Sequence, residues 1–461
     1  MGGYNFLMKK NIFFIGIGGK GLNGIAKICL EKGYGVSGVD TVKKDETISL
    51  EKNGAKIFYK HSFKNINSKI NIVVYSSLTK NAPEIKKAKL LKIRCLKRSA
   101  FLKELTKNDF RICVSGSHGK STTTALIGLS TIGSGIDATI YGGAYTKEFS
   151  GYNRYGKSKY SIIEACEYDR SFHDLIGNYT VLTSVEKSHL EYYKDEQEML
   201  ESFRFFINSH SKKAKIFING DDMKSRYVVK NSKSKIITFG FTPLNDYFIT
   251  DVEKYEFGSR FSVYHLGEKL IGDLEINIPG NYNILNFAST IAVLNELDFP
   301  MNGIFGVAKT FCGISRRFEI SKSKKGQILI DDFAHHPSQV KYLFDGIRQF
   351  YPKNQVCAVF QPRQFNIMKN FIKEYGSSFK KSDEIIITDI LPALGDTKKD
   401  IASIKTCDLI KSITDHSKKP VKHLKTFSEI VDYINKKYGK NSIITTIGAG
   451  DIYKVRDELM K

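Results

Sequence analysis

Residues 111–124 read RICVSGSHGKSTTT: an apolar run, a turn bracketed by Gly116 and Gly119, a lysine, and consecutive hydroxyl residues opening a helical pattern. A glycine-rich turn at a helix start aims backbone N–H groups at an anion, and the helix dipole adds positive character there. Gly116, Ser117, His118, Gly119, Lys120, Ser121 and Thr122 therefore read as a triphosphate cradle. Lys120 neutralises the terminal phosphates, and Ser121 or Thr122 holds magnesium. The spacing departs from the common phosphate loop, because Val114 stands where the first glycine is expected and the glycine is instead Gly116. An ordinary strand-to-helix turn has the same outline.

Working outward, NIFFIGIG at 11–18 starts a strand–helix–strand pattern that continues through GVSGVD and NIVVYSS, a parallel β-α-β succession. Gly16, Gly18 and Gly21 form a G-x-G-x-x-G turn that also contains Gly19, and Asp40 closes the second strand where a ribose-binding acid would sit. Such a turn serves a nucleotide or, equally, tight packing of helix on strand. After the phosphate turn, SIIEACEYDRSF and TVLTSVEKSHLEYY continue a second α/β unit. It becomes richer in strands through IITFGFTP, YFITDVEKYEF and RFSVYHLGEKL, and closes near SRRFE at 315–319. A third unit opens with QILIDDFAHHP, where Pro337 suits a first helical position, and runs through VCAVFQP, EIIITDIL and SIITTIGAG. The fold class is α/β in several domains.

Composition bounds the function. A chain of 461 residues, 41% hydrophobic and 12% aromatic, builds more than one globular core. The formal charge of +23 is spread over helical-looking stretches such as Glu84–Lys97 and Lys398–Lys411, with no nucleic-acid module. It reads as a solvated surface that also attracts polyanionic ligands. Seven cysteines without a C-x-x-C pair exclude a disulfide framework or zinc site and suit a reducing cytoplasm. No apolar run approaches the roughly 18 residues that span a bilayer.

Other candidates cluster at expected strand ends. Glu164 follows the apolar run Tyr160–Ile163 and His189 follows Tyr179–Val185, so both fall beside the phosphate turn if the strands are parallel neighbours. A carboxylate and an imidazole there suit a magnesium ion; a surface acid and a capping histidine are the alternative. Glu167 and Asp169, in the same turn, pair with lysines or support the site from behind, and support is the favoured reading. Asn283, in PGNYNILN, caps a helix or reads an adenine edge. Asp331-Asp332 before His335-His336 suggests positioning of a ribose and a charged substrate, with Arg316-Arg317 supplying charge for a phosphoryl group.

The ordered set GIGGKGLNGIA, SGSHGKSTTT, EACEYD, VEKSH, PGNYNILN, SRRFE, DDFAHHP, FQPR and IGAGDI resembles the Mur ligase family over almost the whole chain. The family's loop, G-T-H-G-K-T, accounts for the displaced glycine. The resemblance implies three domains: a Rossmann-like UDP-sugar domain at 1–107, a P-loop ATPase-like central domain at 108–322, and a Rossmann-like amino-acid-binding domain at 323–461. It implies an ATP- and Mg2+-dependent cytoplasmic ligase of peptidoglycan precursor synthesis. Such an enzyme joins the carboxylate of UDP-N-acetylmuramate to L-alanine through an acyl phosphate, with neither nucleic acid nor membrane as partner.

Carried over by residue, Gly116–Thr122 cradle ATP, and Ser121, Glu164 and His189 hold the metal. Asn283, Arg316 or Arg317, and Asp332 serve the nucleotide. His335 and Arg363 receive the amino acid; Gly16, Gly18, Gly19, Gly21 and Asp40 receive the nucleotide sugar. Lys120, His189 and His335 are the catalytic set. Departures fall at Cys166 (for Asp in EADE), Tyr282 (for His in PGxHN), Ser188 (for Asp) and FQPRQFNIMK at 360–369, where FQPH and further arginines are usual. EYD at 167–169, DDFAHHP and Arg363…Met368-Lys369 instead resemble relatives that attach a recycled tripeptide to the same sugar. Two other classes compete: an NAD-dependent dehydrogenase, on the N-terminal glycines, and a nucleic-acid-stimulated ATPase, on net charge.

Overall fold

A computed structural model gives the fold and describes residues 10–187, 192–255, 258–393 and 396–461. The chain divides into two compact units. One comprises Met1–Glu186, Leu200–Gly240 and Ser289–Ile304; the other comprises Lys187–Met199, Phe241–Ala288 and Phe305–Lys461.

The first unit contains two parallel sheets. The N-terminal one orders its strands Lys56–Phe58, Gly35–Val39, Asn11–Ile15, Ile72–Tyr75 and Arg94–Lys97, all parallel. Chain order reverses at Asn11–Ile15, so a crevice opens at its carboxyl end, where the turn Gly16–Gly19 leads into helix Lys20–Glu31. Phe13, Ile15, Val39 and Val73 are buried on one face of this sheet with Ile66, Ile70 and Ile85.

The second sheet of this unit has the order Lys235–Gly240, Lys215–Asn219, Tyr179–Leu182, Phe110–Ser115, Tyr160–Glu164, Thr139–Thr146 and Gly151–Arg154. All but the last pairing are parallel. The phosphate-turn strand is therefore central, flanked by the strands that carry Glu164 and the segment after Leu182. Glu164 ends its strand as expected, paired with Val114, while the strand expected to reach Val185 ends at Leu182.

In the second unit, Tyr247–Tyr255, Gly258–His265 and Glu268–Ile276 pair antiparallel. Its other sheet runs Glu319–Lys322, Ile328–Asp332, Ile443–Ile447, Val356–Phe360, Glu384–Ile387 and Val421–His423, parallel except at the first pair. Successive residues alternate between two cores: Val356, Ala358 and Phe360 pack with helix Pro337–Phe350, while Cys357 and Val359 pack with helices Phe427–Lys437 and Tyr453–Met460. Apolar side chains on both faces are what a doubly covered parallel strand requires, which is why VCAVF has no polar alternation. The α/β class with Rossmann-like flanking sheets and a P-loop-like central sheet is thus the observed one.

Candidate functional site

The phosphate turn is built by the strand Phe110–Ser115 and the helix Lys120–Gly133. Gly116 has φ +128°, and a Cβ there would strike Thr183 Oγ1 and lie 2.8 Å from the Ser184 carbonyl oxygen; no other residue type fits. Gly119, at φ +81°, turns the chain into the helix. The turn is docked on residues 183–186: Ser117 N–H donates to the Ser184 carbonyl (2.9 Å), and Ser117 Oγ donates to the Glu186 carbonyl (2.7 Å). His118 N–H donates to Ser184 Oγ (3.2 Å), and His118 Nε2 lies 3.3 Å from the Glu186 carboxylate. The N–H groups of Lys120, Ser121 and Thr122 form the first helical turn, which has no intrahelical acceptors and faces anions.

Lys120 is held low over this turn. Its Nζ donates to the Gly116 carbonyl (2.5 Å) and lies 3.1 and 2.9 Å from the two oxygens of Glu167, whose side chain is wholly buried. Burial works against the ammonium charge, but Glu167, with Cys166 and Glu164 behind it, outweighs burial and raises the Lys120 pKa. The lysine is a fixed cation. Glu167 is its counterion, a stronger role than general support.

Glu164 Oε2 accepts the Gly143 N–H (2.9 Å). The Ser121 hydroxyl and the Glu164 carboxylate are hard oxygen donors of the kind magnesium takes. Among the described residues no three His, Cys, Asp or Glu side chains form a metal cage. His189 and Ser188 lie outside the described residues. Asp169 binds Lys97 Nζ (2.7 Å) and the Ser77 hydroxyl, and both Asp169 and Arg170 have positive φ. Cys166 is half-buried, and desolvation, with the neighbouring Glu167 charge, pushes its thiol up to about 11.

In the N-terminal turn Gly16, at φ +80°, donates to the Val39 carbonyl (2.7 Å), and Gly19 donates to the Gly16 carbonyl (2.9 Å). Asp40 Oδ2 accepts the Gly18 N–H (2.9 Å), and its Oδ1 accepts the Val42 N–H (3.1 Å). A Cβ at Gly21 would lie 3.3 Å from Arg98 Cδ. Asp40 is thus pinned to the glycine turn.

The second unit gathers Tyr282, Asn283, Arg317 and Asp332. Burial and then the Asp332 charge hold the Tyr282 hydroxyl well above its ordinary range, with Arg317 and Asn283 opposing. Asn283 Nδ2 donates to the Pro279 carbonyl (2.7 Å). Asp332 accepts N–H groups from Phe318 (2.8 Å) and Ala334 (2.7 Å); burial raises its pKa, and Arg317 pulls it back.

The adjacent arginines differ. Arg316 is committed to Asp331 (3.0 Å) and to the carbonyls of Gly450 (2.8 Å) and Gly448 (2.7 Å). Both lie over the Phe333 ring, at 5.1 and 5.3 Å, and it is Arg317 whose charge acts on Asp332. His335 Nδ1 donates to the Phe333 carbonyl (3.1 Å), and Tyr375 OH donates to the His335 carbonyl. His336 caps helix Pro337–Phe350. Arg363 makes an isolated bridge with Leu391, just before helix Phe365–Asn370.

Residues 11–110 match the Mur ligase family catalytic domain, 114–294 the Mur ligase middle domain, and 316–450 the Mur ligase glutamate ligase domain. A UDP-N-acetylmuramate–L-alanine ligase of Clostridium kluyveri is 34% identical over 454 residues, 98% of this chain and 98% of its own. The chain belongs to the Mur ligase family. A ligase of the same name in Clostridium acetobutylicum is 35% identical over 451 residues, 97% of each chain. Of solved structures, a UDP-N-acetylmuramate–alanine ligase of Thermotoga maritima shares the fold of this Mur ligase with TM-score 0.80 at 21% identity, over 97% of this chain and 98% of that one. A murein peptide ligase of Psychrobacter arcticus shares it at 0.70 and 18% identity, over 98% of each.

In this Mur ligase, sequence reasoning had singled out Lys120, Asn283, Arg317 and Asp332, and the structure sets the last three together with Tyr282. Glu167 and Asp169 take the lysine-pairing alternative rather than the favoured supporting one, with Lys120 and Lys97, and Tyr282 enters the sequence reading only as a departure. Glu167 and Tyr282 were both legible in principle, since a carboxylate three residues past the metal-side acid and a tyrosine beside Asn283 are unusual inside apolar surroundings.

Proposed function

We propose that this chain is an ATP-dependent ligase that joins L-alanine to UDP-N-acetylmuramate. The observation that carries the proposal is Lys120, fixed by buried Glu167 at a helix N-terminus inside a glycine turn: a site for phosphoryl transfer. The names of the full-length relatives supply the substrates. Gly116–Thr122 cradle the phosphates of ATP, and Lys120 neutralises charge on the terminal phosphoryl group. The sugar carboxylate attacks that group to give an acyl phosphate; the alanine amine then displaces phosphate.

Ser121, Glu164 and His189 hold Mg2+, which when bound polarises the terminal phosphoryl group. Asn283, Arg317 and Asp332 position the nucleotide, and Arg316 steadies the loop beside them. His335 and Arg363 receive the amino acid. Gly16, Gly18, Gly19, Gly21 and Asp40 bind the UDP-sugar, with Asp40 suited to a ribose hydroxyl. The domain boundaries are 1–107, 108–322 and 323–461, and the enzyme works in the cytoplasm; among the described residues no helix is long and apolar enough to cross a membrane.

A second reading is favoured by Arg363 and the sequence around it, which lacks the alanine-type arginines: attachment of a murein tripeptide to the same sugar. Mass spectrometry of products formed from UDP-N-acetylmuramate, ATP and a panel of L-alanine, glycine, L-serine and murein tripeptide tests both. L-alanine as preferred acceptor is expected, preference for tripeptide would replace the first reading by the second, and no amide product with any acceptor would overturn both.

A further inference from the structure

The strand that feeds the phosphate turn has a second cationic feature at its other end. Arg111, Gly177, Asn178, Ser209, Ser211 and Lys213 line a cavity of about 260 Å3. It lies at the amino ends of the parallel strands Phe110–Ser115, Tyr179–Leu182 and Lys215–Asn219, the edge opposite Gly116–Lys120. At about 3.3 Å per residue, roughly 17 Å of strand separates Arg111 from Gly116.

Arg111 decides what the cavity suits. Its Nε and Nη1 are buried and have no hydrogen-bond partner among the described residues. A guanidinium stays charged at any physiological pH, and among the described residues no carboxylate pairs with Arg111, so its charge calls for an anion in the cavity it lines. The backbone under it is fixed: Arg111 N–H donates to Asn178 Oδ1 (2.8 Å), and the Arg111 carbonyl accepts the Asn178 N–H (2.8 Å).

The surroundings leave the positive charge uncancelled. Lys213 adds a second cation at the rim, and no carboxylate lines the cavity. Glu296, close to this edge, is committed to Lys215 at 2.6 Å. The neighbouring helix Glu196–Asn208 ends here, but its last carbonyls are capped: Ser209 Oγ donates to the Phe205 carbonyl (2.7 Å) and His210 Nδ1 to the Phe206 carbonyl (2.9 Å). With Nδ1 donating, His210 Nε2 accepts from the Thr180 hydroxyl (2.7 Å), so the imidazole is neutral.

We propose that this cavity is an anion site, distinct from the phosphate turn, that takes a small phosphoryl group through Arg111 and Lys213. The site stands independently of the ligase reading. A tetrahedral phosphoryl group offers several charged oxygens, which can meet the Arg111 guanidinium, Lys213 and the Ser211 hydroxyl together. Inorganic phosphate, pyrophosphate and a small phosphate ester share this chemistry.

Calorimetric titration of the full-length protein tests it, with pyrophosphate, inorganic phosphate and malonate as separate probes. Titrations are run on the wild type saturated with Mg2+ and a non-hydrolysable ATP analogue, and on Lys120→Ala. One saturable phosphoryl site is expected in both, weakened at least tenfold by Arg111→Met and several-fold by Lys213→Glu. Lys213 is exposed, so that variant keeps the wild-type melting temperature and decides the matter should Arg111→Met fail to fold. Absence of saturable uptake, or uptake unchanged by Lys213→Glu, overturns the site. Malonate binding as tightly as phosphate overturns the phosphoryl assignment.

Discussion

Two glycine turns, Gly16–Gly21 and Gly116–Gly119, follow a buried parallel strand and open a helix, yet they are finished in opposite ways. In the first, the glycine amides are consumed internally, Gly16 and Gly19 by carbonyls and Gly18 by the Asp40 carboxylate. An anion brought to Gly18 would meet a negative charge. In the second, the carboxylate is one step removed: Glu167 holds Lys120, and Lys120, not the acid, faces the turn. The same backbone grammar therefore yields a surface suited to hydroxyl groups in one place and a phosphate cradle in the other. The partner of the turn, not its glycines, sets the ligand.

Replacing the cation should separate the two turns most strongly. Lys120→Ala is expected to lower ATP-dependent phosphate release by roughly 10^3-fold, the scale of removing charge stabilisation from a phosphoryl transition state. UDP-sugar binding by calorimetry should be unaltered, and loss of both together would mean the turns are not independent.

Next comes backbone. Gly116→Ala should destabilise the protein by about 2–3 kcal/mol in thermal unfolding, because the residue is left-handed and its Cβ meets Thr183 and Ser184. Gly18→Ala should cost less, about 1–2 kcal/mol, since its φ is ordinary and the cost is only the crowding of its Cβ against Lys44 Cε at 2.7 Å and Asp40 Oδ2 and Thr47 Cγ2 at 2.8 Å. Equal losses would show that the first turn is as constrained as the second. Asp40→Asn should raise KM for the UDP-sugar about tenfold, the ~1.4 kcal/mol of one hydrogen bond, while kcat holds. A fall in kcat of the same size would place Asp40 in the chemistry.

The smallest effect is one of position on the pH axis. Burial raises the Asp332 pKa above that of a free carboxylate, about 3.9, while Arg317 opposes the rise. If the ionised acid is the working form, activity climbs as pH rises through that elevated value. Arg317→Met should move this acid limb to still higher pH, and Arg316→Met should leave it in place, since Arg316 is bonded to Asp331 and two carbonyls. Equal movement in both variants would undo the distinction between the arginines.

What could be read from sequence was local and periodic. The sheets announce themselves as apolar runs separated by helical patterns, and the phosphate turn as glycines at positions only glycine can occupy. Glu164 was placed at a strand end because parallel strands align their ends. What escaped was set by contacts between distant segments. Lys120 meets Glu167 across two strands, and Arg316 reaches carbonyls more than a hundred residues away. Arg316 and Arg317 are chemically identical in a sequence, and only packing commits Arg316 to Asp331 and two carbonyls and sets Arg317 against Asp332. Asp40 looked like a ribose ligand; its bond to the Gly18 N–H is a product of strand order. His189 was named from its place after the apolar run Tyr179–Val185 and lies outside the described residues.

The most direct test follows one oxygen atom. If the sugar carboxylate attacks the terminal phosphoryl group, UDP-N-acetylmuramate labelled with 18O in both carboxylate oxygens must pass one of them to the released phosphate when the alanine amine displaces it. Mass spectrometry of that phosphate is expected to show a single 18O per turnover, dependent on L-alanine and absent in Lys120→Ala. Unlabelled phosphate released alongside amide product would contradict the acyl-phosphate route.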